Sequence, residues 1–235
     1  MKILAIIPAR GGSKGLKNKN ILKLNGHPLF WWSYKSALKS NSIHKIFFSS
    51  DSKKIVRIAK NYKIDVPYLR PKSLSNDNSS TYSVIKYCLS TLKKKEKLSF
   101  DTFILLEPTS PLRDHKDIRK SIGIFKKKKL KTLVSVAKTE CQHPNFLYKK
   151  NNRGFISPLL KKRNKNIRRQ LLSKVFYPDG NIYISDIKTY LKEKSFYHSQ
   201  TYALEMPKLK AIEVDDKLDF KVTELIMGKK FFKND

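Results

Sequence analysis

The sequence predicts an α/β fold in three layers, a mostly parallel sheet with helices on both faces. Three observations carry that expectation. Short apolar runs alternate with segments of helical periodicity through the first 137 residues. The runs at Ile3–Ile7 and within Thr102–Glu107 are apolar at almost every position, as in strands covered on both sides. Polar loops rich in glycine or proline follow these runs, where open parallel sheets place their ligand crevice.

The first strand, Ile3–Ile7, runs directly into Pro8-Ala-Arg-Gly-Gly-Ser-Lys-Gly15. Gly11, Gly12 and Gly15 are expected to free the backbone for φ > 0 and to bring N–H groups near a ligand. Arg10, Lys14, Lys17 and Lys19 add positive charge, so the loop reads as a polyanion cradle. It matches neither G-x-x-x-x-G-K-[ST] nor G-x-G-x-x-G. Gly26-His27-Pro28 then opens a helix with Phe30, Tyr34, Ala37 and Leu38 on its packed face, and Trp31 and Trp32 read as packing bulk.

His44–Ser50 is the second strand, and Asp51 is placed to cap the helix carrying Ile55, Ile58, Ala59 and Tyr62. A short strand is expected at Asp65–Leu69, then a polar loop over Ser73–Thr81 and a helix with Val84, Ile85, Cys88 and Leu92 inward. Thr102–Glu107 reads as a central strand ending in Pro108-Thr-Ser-Pro-Leu-Arg113. A helix with Ile118, Ile122 and Phe125 leads to a strand at Thr132–Ala137. Further strands are predicted at Gly180–Ser185, Tyr202–Met206 and Ala211–Asp215, followed by a last helix that carries Leu218, Val222, Leu225 and Ile226.

Between Cys141 and Pro178 the rhythm breaks. This stretch has ten Lys or Arg and no Asp or Glu, yet it is rich in Phe146, Tyr148, Phe155, Ile156 and Leu159. It is too long and too apolar for a plain loop, and an arm packing against a second subunit is expected. The domain reading is therefore a catalytic unit of 1–140 plus 179–228, an inserted dimerisation arm at 141–178, and a loose tail at 229–235.

Composition narrows the function classes. The chain has 235 residues, 40% hydrophobic content and a net charge of +32. No apolar run is long enough for a membrane span or a signal core, so a cytoplasmic protein is the expectation. Two cysteines and scattered histidines give neither a disulfide framework nor a zinc site. The charge invites a nucleic-acid reading, but the lysines are spread over nearly every helix without a recognition motif, and a general lysine bias is preferred.

Several blocks, in order, resemble the acylneuraminate cytidylyltransferase family, whose members make CMP-sialic and related CMP-nonulosonic acids. They are Ala9-Arg-Gly-Gly-Ser-Lys-Gly15 with Lys19-Asn20, Ser49-Ser-Asp51, Arg70-Pro71 with Asp77 and Ser79-Ser-Thr81, and Leu105-Leu-Glu-Pro-Thr-Ser-Pro-Leu-Arg113. Arg169-Gln170, Asp179-Gly180, Glu213-Val-Asp215 and Leu218-Asp219 follow.

The resemblance implies a Rossmann-like nucleotidyltransferase fold and a reaction of CTP with a nine-carbon 2-keto sugar acid, giving a CMP-sugar and pyrophosphate. It implies catalytic roles for Arg10, Lys19 and Asp215. Arg10, Gly11, Gly12, Ser13 and Lys19 would hold the triphosphate, and Asn20, Arg70, Ser80 and Thr81 the rest of the nucleotide. Asp215 and Glu213 would ligate Mg²⁺, hard oxygen donors for a hard cation. Glu107, Arg169, Tyr177 and Asp179 would line the sugar pocket, Arg169 clamping the carboxylate from an arm that crosses between subunits of a homodimer.

The chain departs from the family pattern at the metal pair, where Glu213-Val-Asp215 stands for the frequent Asp-x-Asp and the longer Glu213 would reach the metal through water, and again at the sugar end. There Glu107 stands where Gln is frequent, Tyr177 where Arg is common and Asp179 for Asn. These changes suit a legionaminic-type or other modified nonulosonic acid as well as sialic acid. The competing readings are a CMP-Kdo-type synthetase of the same fold and a non-catalytic basic protein that binds nucleic acid.

Overall fold

The computed structural model describes residues 1–13, 15–76, 78–139, 142–161, 168 and 171–228. Its main sheet has six strands: β1 (Ile3–Pro8), β4 (Lys45–Ser49), β5 (Thr102–Leu105), β6 (Thr132–Lys138), β9 (Phe176–Asp186) and β10 (Thr201–Glu205). Across the sheet the order is β10-β6-β9-β5-β1-β4. Five strands run one way, and β9 lies antiparallel between β5 and β6. Two small hairpins complete the strands among the described residues: β2 (Lys23–Leu24) with β3 (His27–Pro28), and β7 (Tyr148–Lys150) with β8 (Ile156–Pro158).

Helices cover both faces. They are α1 (Leu29–Lys39), α2 (Lys53–Asn61), α3 (Thr81–Lys95), α4 (His115–Lys127), α5 (Ile187–Glu193) and α6 (Lys217–Gly228). The period of two along β1 divides its side chains between two cores. Ile3, Ala5 and Ile7 pack with Phe30, Ile55, Ala59, Ile118 and Ile122 from α1, α2 and α4. Leu4 and Ile6 face Val84, Ile85 and Cys88 of α3 and Tyr190 of α5. This two-sided burial is why the strand reads as one unbroken apolar run.

Four local expectations are corrected. Residues 65–69 form no strand; only Leu69 bridges to Ser50. Residues 211–215 also lie outside any strand, their apolar members being buried by tertiary packing instead: Val214 sits against Leu24 and Leu29. Leu38, expected inside, is 59% exposed. Asp51 does not cap α2. Ser52 does, accepting from Ile55 N at 3.4 Å, while Asp51 accepts from Gly11 N at 2.9 Å.

The glycine expectation also changes. Among the described glycines, positive φ occurs at Gly26, Gly154 and Gly180, and not at Gly11, Gly12 or Gly15. Two of the opening glycines are required by contact instead. A Cβ on Gly11 would lie 2.9 Å from Ser52 Cβ, and one on Gly15 would lie 2.6 Å from the Asp215 carbonyl oxygen.

Candidate active site

A cleft of about 660 Å³ opens at the carboxyl ends of β1 and β5, where the first-strand loop, the 70–81 segment, the loop after β5 and the 211–215 segment meet. The parallel sheet explains the convergence, since each strand delivers its following loop to the same edge. Arg10, Ser13, Gly15, Lys19, Asn20, Arg70, Thr81, Glu107, Glu213 and Asp215 line this space.

The cationic side is built from the chain's beginning. Asn20, 6% exposed, donates through Nδ2 to the Arg10 carbonyl at 2.9 Å and so ties the loop closed. Gly11 N on Asp51 gives a second tie. Asp51 Oδ1 also lies 3.7 Å from Arg70 Nη2, and Arg70 Nε donates to Ser75 Oγ at 2.9 Å. Arg70 is nearly buried, and desolvation lowers its pKa against the opposing pull of Asp51. Asp51 thus links the first-strand loop to Arg70 on the opposite wall.

The acidic side comes from the far end of the chain. Lys19 Nζ meets Asp215 Oδ1 at 2.8 Å, across 196 residues. Glu213 Oε1 accepts from Thr109 Oγ1 at 3.5 Å, and Val214 N donates to Thr109 O at 2.8 Å. Burial, then Glu107, Asp215 and Asp179, push the Glu213 carboxyl up to about 7, with Lys19 opposing. Burial likewise raises Glu107, against Arg113 and Lys19. Three carboxylates thus crowd a cleft that also holds cations, and a divalent cation would relieve their repulsion. Asp215 and Glu213 are the pair that would hold it, both oxygen donors facing the same space.

Gly180 has φ +69° and lies under Glu213; a Cβ there would fall 2.0 Å from Glu213 Oε1. The Asp179-Gly180 pair therefore serves the acidic side through backbone shape as well as chemistry.

Other expected site residues lie elsewhere. Ser80 caps α3, accepting from Ser83 N at 3.1 Å. Asp179 is buried, bonded to Ser135 Oγ and to Asn181 N, at the irregular register between β6 and β9. Tyr177 is 41% exposed and pairs with Ala137 in the sheet. None of the three lines the cleft, nor do Gly11 and Gly12. Arg169 lies outside the described residues, as do Lys14, Asp77 and Gln170.

Arg113 is a residue whose role the sequence did not reveal. It is 1% exposed, and its guanidinium donates to Asn181 O, to Ser33 Oγ and, at 3.3 Å, to Glu107 O. Ser33 Oγ adds a bond to the same Glu107 carbonyl at 3.0 Å. Desolvation lowers the Arg113 pKa to about 10. Its signal was only its place at the end of the Pro108–Arg113 block. Arg113→Met takes the guanidinium donor from the buried Asn181 carbonyl and Ser33 Oγ, while Glu107 O keeps Ser33, and is expected to cost about 3 kcal/mol in urea unfolding. A loss below about 1 kcal/mol would mean that the bonds carry little.

The family model described as cytidylyltransferase matches residues 4–224, from the first strand into the last helix. The chain belongs to the cytidylyltransferase family. It is 36% identical over 222 residues to an N-acylneuraminate cytidylyltransferase of Streptococcus agalactiae, covering 94% of this chain and 52% of that one. A CMP-N,N'-diacetyllegionaminic acid synthase of Legionella pneumophila is 34% identical, with 97% of each chain covered. A pseudaminic acid cytidylyltransferase of Campylobacter jejuni is 28% identical, with 96% of each covered. The chain thus spans about half the length of the streptococcal relative and nearly all of the other two.

Among solved structures, the fold matches that of CMP:2-keto-3-deoxy-manno-octonic acid synthetase complexed with CTP. The TM-score is 0.69 at 16% identity, covering 98% of this chain and 100% of that one. A 4-diphosphocytidyl-2C-methyl-D-erythritol synthase of Anaerococcus prevotii gives 0.64 at 12% identity, covering 97% and 99%. Family membership and fold agree with the resemblance read from the sequence blocks, and the Rossmann-like α/β architecture with its mostly parallel sheet is observed directly.

Proposed function

We propose that this chain is a Mg²⁺-dependent cytidylyltransferase joining CTP to a nonulosonic acid, with release of pyrophosphate. The observation that supports this is the meeting of Lys19 and Asp215 at 2.8 Å, which brings the cationic first-strand loop and the Glu213–Asp215 carboxylates into one cleft.

Arg10, Ser13 and Lys19, which line the cleft, bind the triphosphate and offset the charge that grows on the departing pyrophosphate, while Gly11 holds the loop in shape through Asp51. Asn20, Arg70 and Thr81 read the cytosine side, where amide, guanidinium and hydroxyl groups match the donors and acceptors of a base edge. Arg70 is already fixed by Asp51 and Ser75 and loses little freedom on binding. Mg²⁺ on Asp215 and Glu213 would supply a Lewis acid for the phosphoryl oxygens.

Glu107 faces the acceptor sugar. Burial raises its pKa, and its carboxyl oxygens suit hydroxyl or amide groups of the sugar rather than another carboxylate. The relatives' names span sialic, legionaminic and pseudaminic acids, and this chain's acceptor lies within that class. The sugar carboxylate is assigned to Arg169.

The enzyme is a homodimer with shared sites. Supporting this, the β7–β8 hairpin leaves Phe155 71% and Ile156 64% exposed, an apolar surface suited to a second copy. Nothing long and apolar enough to cross a membrane occurs among the described helices, and a CTP-consuming reaction belongs in the cytoplasm.

The test is pyrophosphate release from CTP and Mg²⁺ with a panel of sialic, legionaminic, pseudaminic and eight-carbon keto-deoxy acids. Release is expected with at least one nine-carbon acid. Release only with the eight-carbon acid, or salt-sensitive nucleic-acid binding with no turnover, would overturn the reading.

A further inference from the structure

Glu213 and Asp215 sit on a segment without regular structure, so something other than a strand must fix their position. After β10 the chain makes a single 3-10 turn at Lys208–Lys210 and then runs irregularly through residue 215. The last residue of that turn is tied down on both sides. Lys210 O accepts from Asn181 Nδ2 at 3.0 Å, and Lys210 Nζ reaches Asp114 Oδ2 at 2.7 Å and Asp117 Oδ2 at 2.8 Å.

Those two aspartates form the capping box of α4. Asp114 Oδ1 accepts from Lys116 N at 2.7 Å and from Asp117 N at 3.0 Å, and Asp117 Oδ2 accepts from Asp114 N at 2.9 Å. The box also ends the Pro108–Arg113 loop, whose Thr109 touches both Val214 N and Glu213. A lysine at a helix N-terminus opposes the helix dipole, so it is an unusual partner unless both carboxylates are needed to hold it. Its side chain is 14% exposed and lies outside the cleft lining.

We infer that Lys210 is a positioning residue: by clamping the 207–215 segment to the α4 cap, it holds Glu213 and Asp215 in place in the cleft. The clamp fixes the carboxylate segment and the loop after β5 to one rigid point, three residues before Glu213. The inference rests on the metal role given to Glu213 and Asp215 above. Outer partners that orient ligating groups characteristically govern metal affinity by about 10–100-fold.

Lys210→Met therefore should weaken Mn²⁺ binding, followed by calorimetry or by the free-ion electron paramagnetic signal in the presence of CTP, by about tenfold. Half-saturating Mg²⁺ in the turnover assay should rise in parallel. Metal-free CTP affinity should stay within about twofold, because Arg10, Asn20 and Arg70 are untouched. Lys210→Arg, which keeps the charge and the reach, should recover part of the metal affinity.

Lys210→Met also leaves Asp114 and Asp117 facing each other without a cation, which destabilises the cap. Lys210→Met combined with Asp117→Asn removes that repulsion and is expected to fold while still binding Mn²⁺ poorly. If the double variant binds Mn²⁺ as the unaltered protein does, Lys210 is only a cap partner and the inference fails. If the unaltered protein binds no Mn²⁺ and turns over no CTP, the proposed function fails first.

Discussion

Asp215→Ala is expected to lower turnover by about 10³-fold or more while leaving the fold in place. The side chain is 73% exposed, so removing it opens no cavity and unfolding in urea should change by no more than about 0.5 kcal/mol. The catalytic loss has two sources. One of the two carboxylates facing the cation position disappears, and Lys19 loses the partner that holds its ammonium in the cleft at 2.8 Å.

Because Asp215 pairs with Lys19 and is also the proposed metal ligand, a companion variant is informative. Lys19→Met should also cost turnover, through the triphosphate, yet it should leave Mg²⁺ half-saturation far less affected than Asp215→Ala does. Pyrophosphate release over a Mg²⁺ titration separates the two. Turnover of Asp215→Ala within tenfold of the unaltered protein would take the metal away from this residue.

The layered fold was legible because the strands that build it are buried on both faces. β1 and β5 are apolar at nearly every position, whereas a strand with one wet face would show a polar residue at every second place. The antiparallel insertion of β9 was not legible. Its residues carry the same apolar signature whichever way the strand runs, and direction depends on where the chain returns from the 142–175 region. The 211–215 segment was misread for a related reason: Ala211 and Val214 are buried by packing against other elements, which imitates strand burial without a ladder.

The site was legible in residue type more than in role. Arg10, Lys19, Asn20, Arg70, Thr81, Glu107, Glu213 and Asp215 do meet in one cleft, but only resemblance, and not spacing, joined residues so distant in sequence. Asp51 looked like a helix cap because Asp before an amphipathic segment usually is one. The neighbouring Ser52 took that role and left Asp51 to bridge Gly11 and Arg70. Arg113 and Lys210 were obscured by composition: in a chain with 51 Lys and Arg, nothing marks a buried cation in advance.

Gly15 turns this lesson into an experiment. The sequence suggested that the glycine supplies a left-handed backbone, whereas its φ is not positive and the constraint is space. A methyl at this position would sit 2.6 Å from the Asp215 carbonyl oxygen, which is backbone and cannot rotate away. Gly15→Ala must therefore separate the cationic loop from the carboxylate segment by a distance on the order of 1 Å. Displacements of that size in a reacting constellation cost about 10²-fold.

The expected result is a turnover loss near that value with CTP binding reduced much less, since Arg70, Asn20 and Thr81 stay in place. Gly123→Ala supplies the contrast: in α4, with nothing within 4 Å of the added methyl, it should keep full activity. It should also gain about 0.5–1 kcal/mol from helix propensity. If Gly15→Ala were as active as Gly123→Ala, the two halves of the cleft would not need the contact that brings them together, and the Lys19–Asp215 proximity would lose its functional meaning.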